Sequence, residues 1–419
     1  MPIQKTPVPQ TAIVIGGGLV GLACAFNLQR KGLRTLLLDP VTLRRAASWG
    51  NAGHIAVEQV EPLASWAMIR SLPRRLFWRG GALGLPLRDI SAWLPFSLRL
   101  LGASRPRRFR AGKAALSELL AASLPAWRGL LSAASASHLL REEGHFILWE
   151  SAASAAAGRA GWARIDIGVT RFRDATADEM SRLSELIDRP IAGAIRFEGS
   201  GHIEDLEELA DALATAFERL GGRQQCMAAE AVTLADGRAA VVTTEGETLA
   251  ADAIVVAAGV ESAKLLEPLG YKVPIIAERG YHVQASGADW PADLPPVVFE
   301  DRSMIVTRFR SGLRAASFVE FGRSQSPPDP RKWDRLRSHA RELGLPFAEP
   351  VSQWMGCRPT LPDYLPAIGQ SRHAPNLFYA FGHQHLGLTL AAVTGEAIAA
   401  LATGGAPEIN LAPFSLERF

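Results

Sequence analysis

Cysteine is scarce in this chain. Cys24, Cys226 and Cys357 are the only three in 419 residues, far apart and without CxxC spacing. That excludes a disulfide framework and a zinc knuckle, and it suits a reducing cytoplasm. No metal site is expected. Charge of one sign is also lacking: a net charge of +3 is too small for a nucleic-acid-binding surface. No apolar run approaches the roughly 18 residues of a membrane-spanning helix. Residues 1–10 lack the apolar core of a secretion signal, so a cytoplasmic protein is expected. With 48% hydrophobic and 21% charged residues, no segment reads as disordered by composition.

What the chain does have is a glycine-rich turn between two apolar runs. Residues 12–15 read as a buried parallel strand, and Gly16, Gly18 and Gly21 fall at GxGxxG spacing. A helix from about Leu19 to Arg30 follows, with Gly32 as its stop, and a second run at 35–38 ends in Asp39. Gly16 permits the tight turn, Gly18 lets backbone approach a pyrophosphate, and Gly21 lets the helix pack on the strand. The helix start at Leu19 and Val20 offers free N–H groups to phosphates. Asp39 lies 18 positions beyond Gly21, close to where a carboxylate meets a ribose. The order points to a dinucleotide and leaves FAD and NAD both open.

Pro40 leads into a loop rich in small residues, with Ser48, Gly50, Asn51, Ala52, Gly53 and His54. Such a loop suits backbone pressed against a flat ligand, although an ordinary surface loop has the same composition. Residues 66–127 hold ten arginines and Lys113 against a single acid, Asp89, before Glu118. Trp66, Phe77, Trp78, Trp93, Leu94, Phe96 and Leu98 are interleaved with them. Basic amphipathic helices of this kind lie on anionic membranes, or they pack one face on a domain and expose arginines. Further on, strands are expected near 145–149 and 194–197, and an amphipathic helix over 203–220. A hairpin is expected across Ala235-Asp-Gly237, a buried strand in 249–262, antiparallel strands through 274–321, and a short helix over 332–343.

The C-terminal part carries Gly356-Cys-Arg-Pro-Thr-Leu-Pro-Asp363 and, after another strand, Gly382-His-Gln-His-Leu-Gly-Leu-Thr389. The second is again a glycine turn opening a helix, near Leu386. Its positive end suits the anionic edge of a reduced flavin ring, which an NAD enzyme would not need. These two segments, the GxGxxG start and Ala253-Ile-Val-Val-Ala-Ala-Gly-Val-Glu-Ser262 together resemble the D-amino-acid oxidase family of FAD-dependent oxidoreductases. Ser48-Trp-Gly-Asn-Ala-Gly-His-Ile55 is most similar to its bacterial D-amino acid dehydrogenase branch.

The resemblance implies an α/β fold: a Rossmann-like FAD-binding domain of the glutathione-reductase type, interleaved with an α+β substrate domain on an antiparallel sheet. The expected division is 1–65, 201–273 and 351–419 for FAD, and 66–200 and 274–350 for substrate, with a basic helical region at 66–130. It implies non-covalent FAD, held by Gly16, Gly18, Leu19, Val20, Gly21, Asp39, Pro40, Arg45, Ser48, Gly50, Asn51, Ala52, Gly53 and His54. Ala231, Val232, Ala258, Gly259, Gly382, His385, Leu386, Gly387, Leu388 and Thr389 complete the set. Arg358 stands where glycine oxidase clamps its substrate carboxylate, and the competing reading is a structural arginine paired with Asp363 or a carbonyl. His54, Tyr281, His282, His383 and His385 are candidate substrate contacts; His385 departs from the arginine that glycine oxidase carries there. Cys357 is one position off the covalent flavin cysteine of sarcosine oxidase.

The activity expected is dehydrogenation of a D-amino or cyclic imino acid such as D-proline or hydroxy-D-proline. The hydride would pass from Cα to the flavin and the electrons to a quinone or other acceptor. The partners expected are a small amino or imino acid and a membrane or electron-transfer partner, with peripheral contact at the inner membrane and no nucleic acid. A glycine- or sarcosine-type oxidase using oxygen is the alternative, as is a flavoprotein subunit that needs a partner chain.

Overall fold

A computed structural model of the chain describes residues 10–40 and 46–419. Its first half-fold is a six-stranded sheet in the order Arg223–Cys226, Arg34–Asp39, Thr11–Ile15, Ala253–Val256, Leu377–Phe381, Ala367–Gln370. All neighbours are parallel except the last pair. The central strands Thr11–Ile15, Ala253–Val256 and Leu377–Phe381 are apolar on both faces because both faces are covered. On one side pack the helices Leu19–Arg30, Leu206–Arg219 and Gly387–Ala402. On the other lies a small antiparallel sheet, Ala229–Ala235, Arg238–Thr243 and Thr248–Ala250. Its hairpin turns through Asp236 and Gly237, both at positive φ (50° and 72°), as a two-residue turn between twisted strands requires.

Gln384–Ala402 is long and apolar enough to cross a membrane, yet 72% of it is buried inside the protein. It is the core helix of this half. Gly395 lets it press on Leu19–Arg30, since a Cβ there would stand 2.6 Å from the Ala23 carbonyl oxygen. The helix expected over 203–220 begins at Leu206, because the Asp205 carboxylate accepts the Glu207 and Glu208 N–H groups and caps it.

The second half-fold is a nine-stranded sheet. Its order is Val351–Thr360, Ile276–Ala285, Gly312–Gly322, Met304–Phe309, Val297–Phe299, His145–Trp149, Gly193–Glu198, Arg171–Asp174, with Leu83–Gly84 beside Gly312–Gly322. Two corrections to the expected division follow. Val351–Thr360, assigned to the C-terminal FAD part, is the edge strand of this large sheet, paired along its whole length with Ile276–Ala285. The helices Pro106–Ala121 and Ser123–Ala133, assigned to the substrate part, bury Leu116, Leu119, Leu120, Trp127 and Leu130 against Gly387–Ala402. There the Trp127 indole donates to the Leu388 and Thr389 carbonyls, at 3.0 and 3.2 Å.

Candidate active site

A cavity of about 1780 Å³ runs from the glycine-rich turn across the face of the large sheet. Its near end is built by the first strand and helix. Gly16 takes φ +111°, and a Cβ on it would lie 2.5 Å from the Ala257 carbonyl oxygen; one on Gly21 would lie 1.8 Å from the Gly16 oxygen. Only glycine fits at either position. The Asp39 carboxylate accepts the Gly17 N–H at 2.5 Å and lines the cavity. Ser48 Oγ accepts the Leu19 N–H (3.1 Å), which fastens the small-residue loop to the helix start. Asn51 then folds that loop on itself, donating to the Ser48 carbonyl and accepting from the Gly53 N–H (2.6 Å).

Of the expected cofactor contacts, Gly16, Gly18, Val20, Asp39, Pro40, Ser48, Gly50, Asn51, Ala52, His54, Ala258, Gly259, His385, Gly387 and Leu388 line this cavity. Leu19, Gly21, Gly53, Gly382, Leu386 and Thr389 do not. They shape the turns behind it, and the Thr389 hydroxyl accepts the Ala56 N–H (2.9 Å). Ala231 and Val232 also stand off: they lie inside the small hairpin, where Val232 is core, and their neighbours Ala228 and Ala229 line the cavity instead. Arg45 lies outside the described residues.

Arg358 is held from behind. Its Nη1 donates to Glu278 Oε1 (3.3 Å) and to the Phe318 carbonyl (3.0 Å). Glu278, buried, also accepts from Thr360 Oγ1 and the Tyr364 hydroxyl. Among the described residues, Nε and Nη2 of Arg358 have no hydrogen-bond partner. The side chain is 26% exposed and lines the cavity. The guanidinium lies over Gly280, where a Cβ would meet Nη2 at 2.3 Å. One edge is therefore anchored and the other is open to a planar anion. Of the two alternative partners, Asp363 is taken by Arg418, whereas a backbone carbonyl, that of Phe318, does hold Nη1.

His385 Nε2 bonds the Gln59 side-chain oxygen at 2.5 Å. Burial, together with the Arg358 charge nearby, pushes its pKa down to about 3, so the ring is neutral. The other histidines divide. His383 also lines the cavity, but it is buried and its Nε2 is bonded to Thr394 Oγ1 (3.0 Å). His282 stacks on Trp354 and bonds the Gly50 carbonyl, outside the cavity wall. Tyr281 touches the cavity, but its hydroxyl does not serve it: it donates to Glu320, and accepts from Arg279 and the Asp329 N–H, in a buried charge network.

His54 meets Glu58 and His145 in the cavity wall, with donor atoms all within 4.8 Å of one another. The absence of a metal site was read from cysteine spacing, and that pattern carries no sign of this convergence. Among the described residues, Nε2 of His54 and Oε2 of Glu58 are buried without a hydrogen-bond partner, although His54 Nε2 stands 3.7 Å from Glu58 Oε1. Burial, opposed only by weaker hydrogen bonds, raises the Glu58 carboxyl to about 8. Burial lowers His54 to about 3, with His202 adding to the effect. Glu58, Gln59, His145 and Glu278 were not foreseen. Glu278 faces Arg358 only through strand register, and Gln59 meets His385 across 326 positions; neither leaves a local signal.

A glycine cradle, a ribose-reaching acid, a second helix start and an anchored arginine in one cavity define a two-domain dinucleotide-dependent oxidoreductase. The family model described as DAO, FAD dependent oxidoreductase, matches residues 11–401, and the chain belongs to that family. It is 32% identical over 422 residues to a D-amino-acid oxidase of Bradyrhizobium diazoefficiens (99% of this chain, 100% of the relative). It is 31% identical to a D-amino acid dehydrogenase of Dechloromonas aromatica (94% and 97%). Its fold matches a glycine oxidase structure from Geobacillus kaustophilus with TM-score 0.72 at 21% identity, over 99% and 100% of the two chains. FAD is the cofactor. The cradle at Gly16–Gly18, the Asp39 carboxylate, the 48–52 loop and the 385–388 helix start fit its pyrophosphate, ribose and ring in turn.

Proposed function

We propose that the protein dehydrogenates a D-amino or cyclic imino acid of the D-proline or hydroxy-D-proline type, passing electrons to a quinone or other non-oxygen acceptor. The observation that carries this reading is the anchored Arg358 with its Nε–Nη2 edge open in the cavity. That edge binds the substrate carboxylate in two places and fixes where Cα lies. Neutral His385 beside it adds no second positive charge against the substrate amine. Ile305, Phe318 and Met355 line the same space and suit a compact saturated ring. FAD, when bound, supplies the acceptor for the hydride leaving Cα; the imine product hydrolyses in water.

The FAD is non-covalent in this reading: Cys357 Sγ points to the Ser324 carbonyl (3.9 Å), and burial pushes its thiol pKa up, away from the reactive thiolate. The test is anaerobic bleaching of the yellow holoenzyme by D- and L-amino acids, both proline series included. Fast bleaching by D-proline or hydroxy-D-proline supports the substrate class, and no bleaching by any amino acid overturns it. The D-amino-acid oxidase name of one relative favours a second reading, with oxygen as acceptor. Stoichiometric hydrogen peroxide at the full turnover rate would establish that one instead.

A further inference from the structure

Seven of the eleven large apolar side chains that stand exposed among the described residues fall between positions 66 and 101. They are Trp66, Trp78, Leu87, Ile90, Leu94, Leu98 and Leu101, with Leu87 81% and Trp78 71% exposed. The helix Ile90–Ala103 explains the arrangement. Phe96, Leu100 and Ala103 form its inward face, packed on Ile276, Phe321 and Tyr364. At about 100° per residue, Ile90, Leu94, Leu98 and Leu101 fall within an arc of about 80° on nearly the opposite side. The helix thus has two apolar faces, and its fold uses one.

Cations lie on this helix and at the start of the next, Pro106–Ala121. Arg99, Arg105, Arg107, Arg108 and Arg110 are exposed and form no ion pair among the described residues. The only acid between Glu61 and Glu118 is Asp89, which is buried and accepts from Ser326 Oγ. From this we infer that the arm carrying Leu87–Arg110 docks on an anionic lipid surface, its leucines entering the acyl boundary and its arginines pairing with lipid phosphates. A two-fold pairing of this face with a second copy would set arginines against arginines. An anionic bilayer complements both the apolar arc and the unpaired positive charge carried by the same segment. Ser71, Arg75 and Ala82, which precede the arm in the chain, line the flavin cavity.

The experiment sediments holoenzyme with vesicles of phosphatidylcholine alone, or in equal parts with phosphatidylglycerol, at low and at physiological salt. The expected result is pelleting with the anionic vesicles, weakened by salt, and none with the neutral ones. The Leu87→Ser, Leu94→Ser, Leu98→Ser triple variant and the Arg105→Ser, Arg107→Ser, Arg108→Ser, Arg110→Ser quadruple variant should each bind about tenfold more weakly or worse. Both should keep the flavin spectrum, which shows that they fold. Absence of wild-type pelleting, or pelleting of both variants like wild type, overturns the inference. So does a triple variant that changes only the oligomeric mass in light scattering, which would make a second copy the occupant. No substrate enters the assay, so its outcome stands whether or not the proposed reaction does.

Discussion

Glu278 and Arg358 occupy facing positions on neighbouring antiparallel strands, and the carboxylate takes one Nη1 hydrogen of the guanidinium at 3.3 Å. The glutamate neutralises and aims the arginine without using the edge that a ligand carboxylate needs. Arg358→Ala should therefore raise KM about thirtyfold or more while FAD stays bound, since truncating a charge pair of this kind costs about 2–5 kcal/mol. Steady-state kinetics and the visible spectrum of the variant check this. Unchanged KM would remove Arg358 from the site.

Glu278→Gln keeps an acceptor but loses the charge that orients Arg358 and serves Thr360 and Tyr364. KM should rise by about tenfold with kcat nearly constant, because a charge-assisted bond is worth roughly twice a neutral one. Thermal denaturation should show a loss of about 1–3 kcal/mol from the weakened buried contacts. A drop confined to kcat would contradict a positioning role.

His385 is held neutral, with its pKa pushed to about 3 by burial and by Arg358. No limb in the kcat/KM profile between pH 5 and 8 should then belong to it. His385→Asn should lower the plateau without moving its inflections. Gln59→Leu frees the ring from its hydrogen bond and should lower kcat/KM by about tenfold, the scale of a lost orienting contact. An inflection that disappears with His385 would show that the ring titrates.

Burial raises Glu58 to about 8 from an ordinary value near 4.5. In this state the unfolded chain releases the proton first. Stability tied to Glu58 is thus fully present below about pH 4.5 and is lost as pH rises through about 8, by no more than about 5 kcal/mol. His54, lowered to about 3, acts in the other sense: its contribution is present above its ordinary value near 6.5 and is lost as pH falls toward 3. Denaturant melts of wild type and Glu58→Gln across pH 5 to 9 should diverge toward high pH, the variant holding its stability better. Parallel curves would show that Glu58 is ionised in the native state.

Cys357 carries no covalent bond in this reading, so acid precipitation of the holoenzyme should leave all yellow colour in the supernatant. Cys357→Ser should retain FAD and activity. Colour in the pellet of wild type, absent from that of the variant, would establish a thioether.

The sequence by itself determined the local parts. GxGxxG spacing, Asp39, the small-residue loop and the second glycine turn each encode a backbone shape within a few residues of one another. Steric limits at Gly16 and Gly21 act over those same short distances. Of the paired arms of the large sheet, those within 274–321 were legible as strands, and Val351–Thr360 was not read as one. Their register, which sets Glu278 against Arg358 and carries Val351–Thr360 out of the nucleotide-binding half, depends on pairing between segments some eighty residues apart. Tyr281 shows the same limit: its side chain suits a substrate contact, but Arg279 on its own strand, with Glu320 and Asp329 from two other elements, claims its hydroxyl. Tertiary structure also decided which face of the 90–103 helix is core and which is bare. Both faces are apolar, and periodicity alone does not say which one finds a partner.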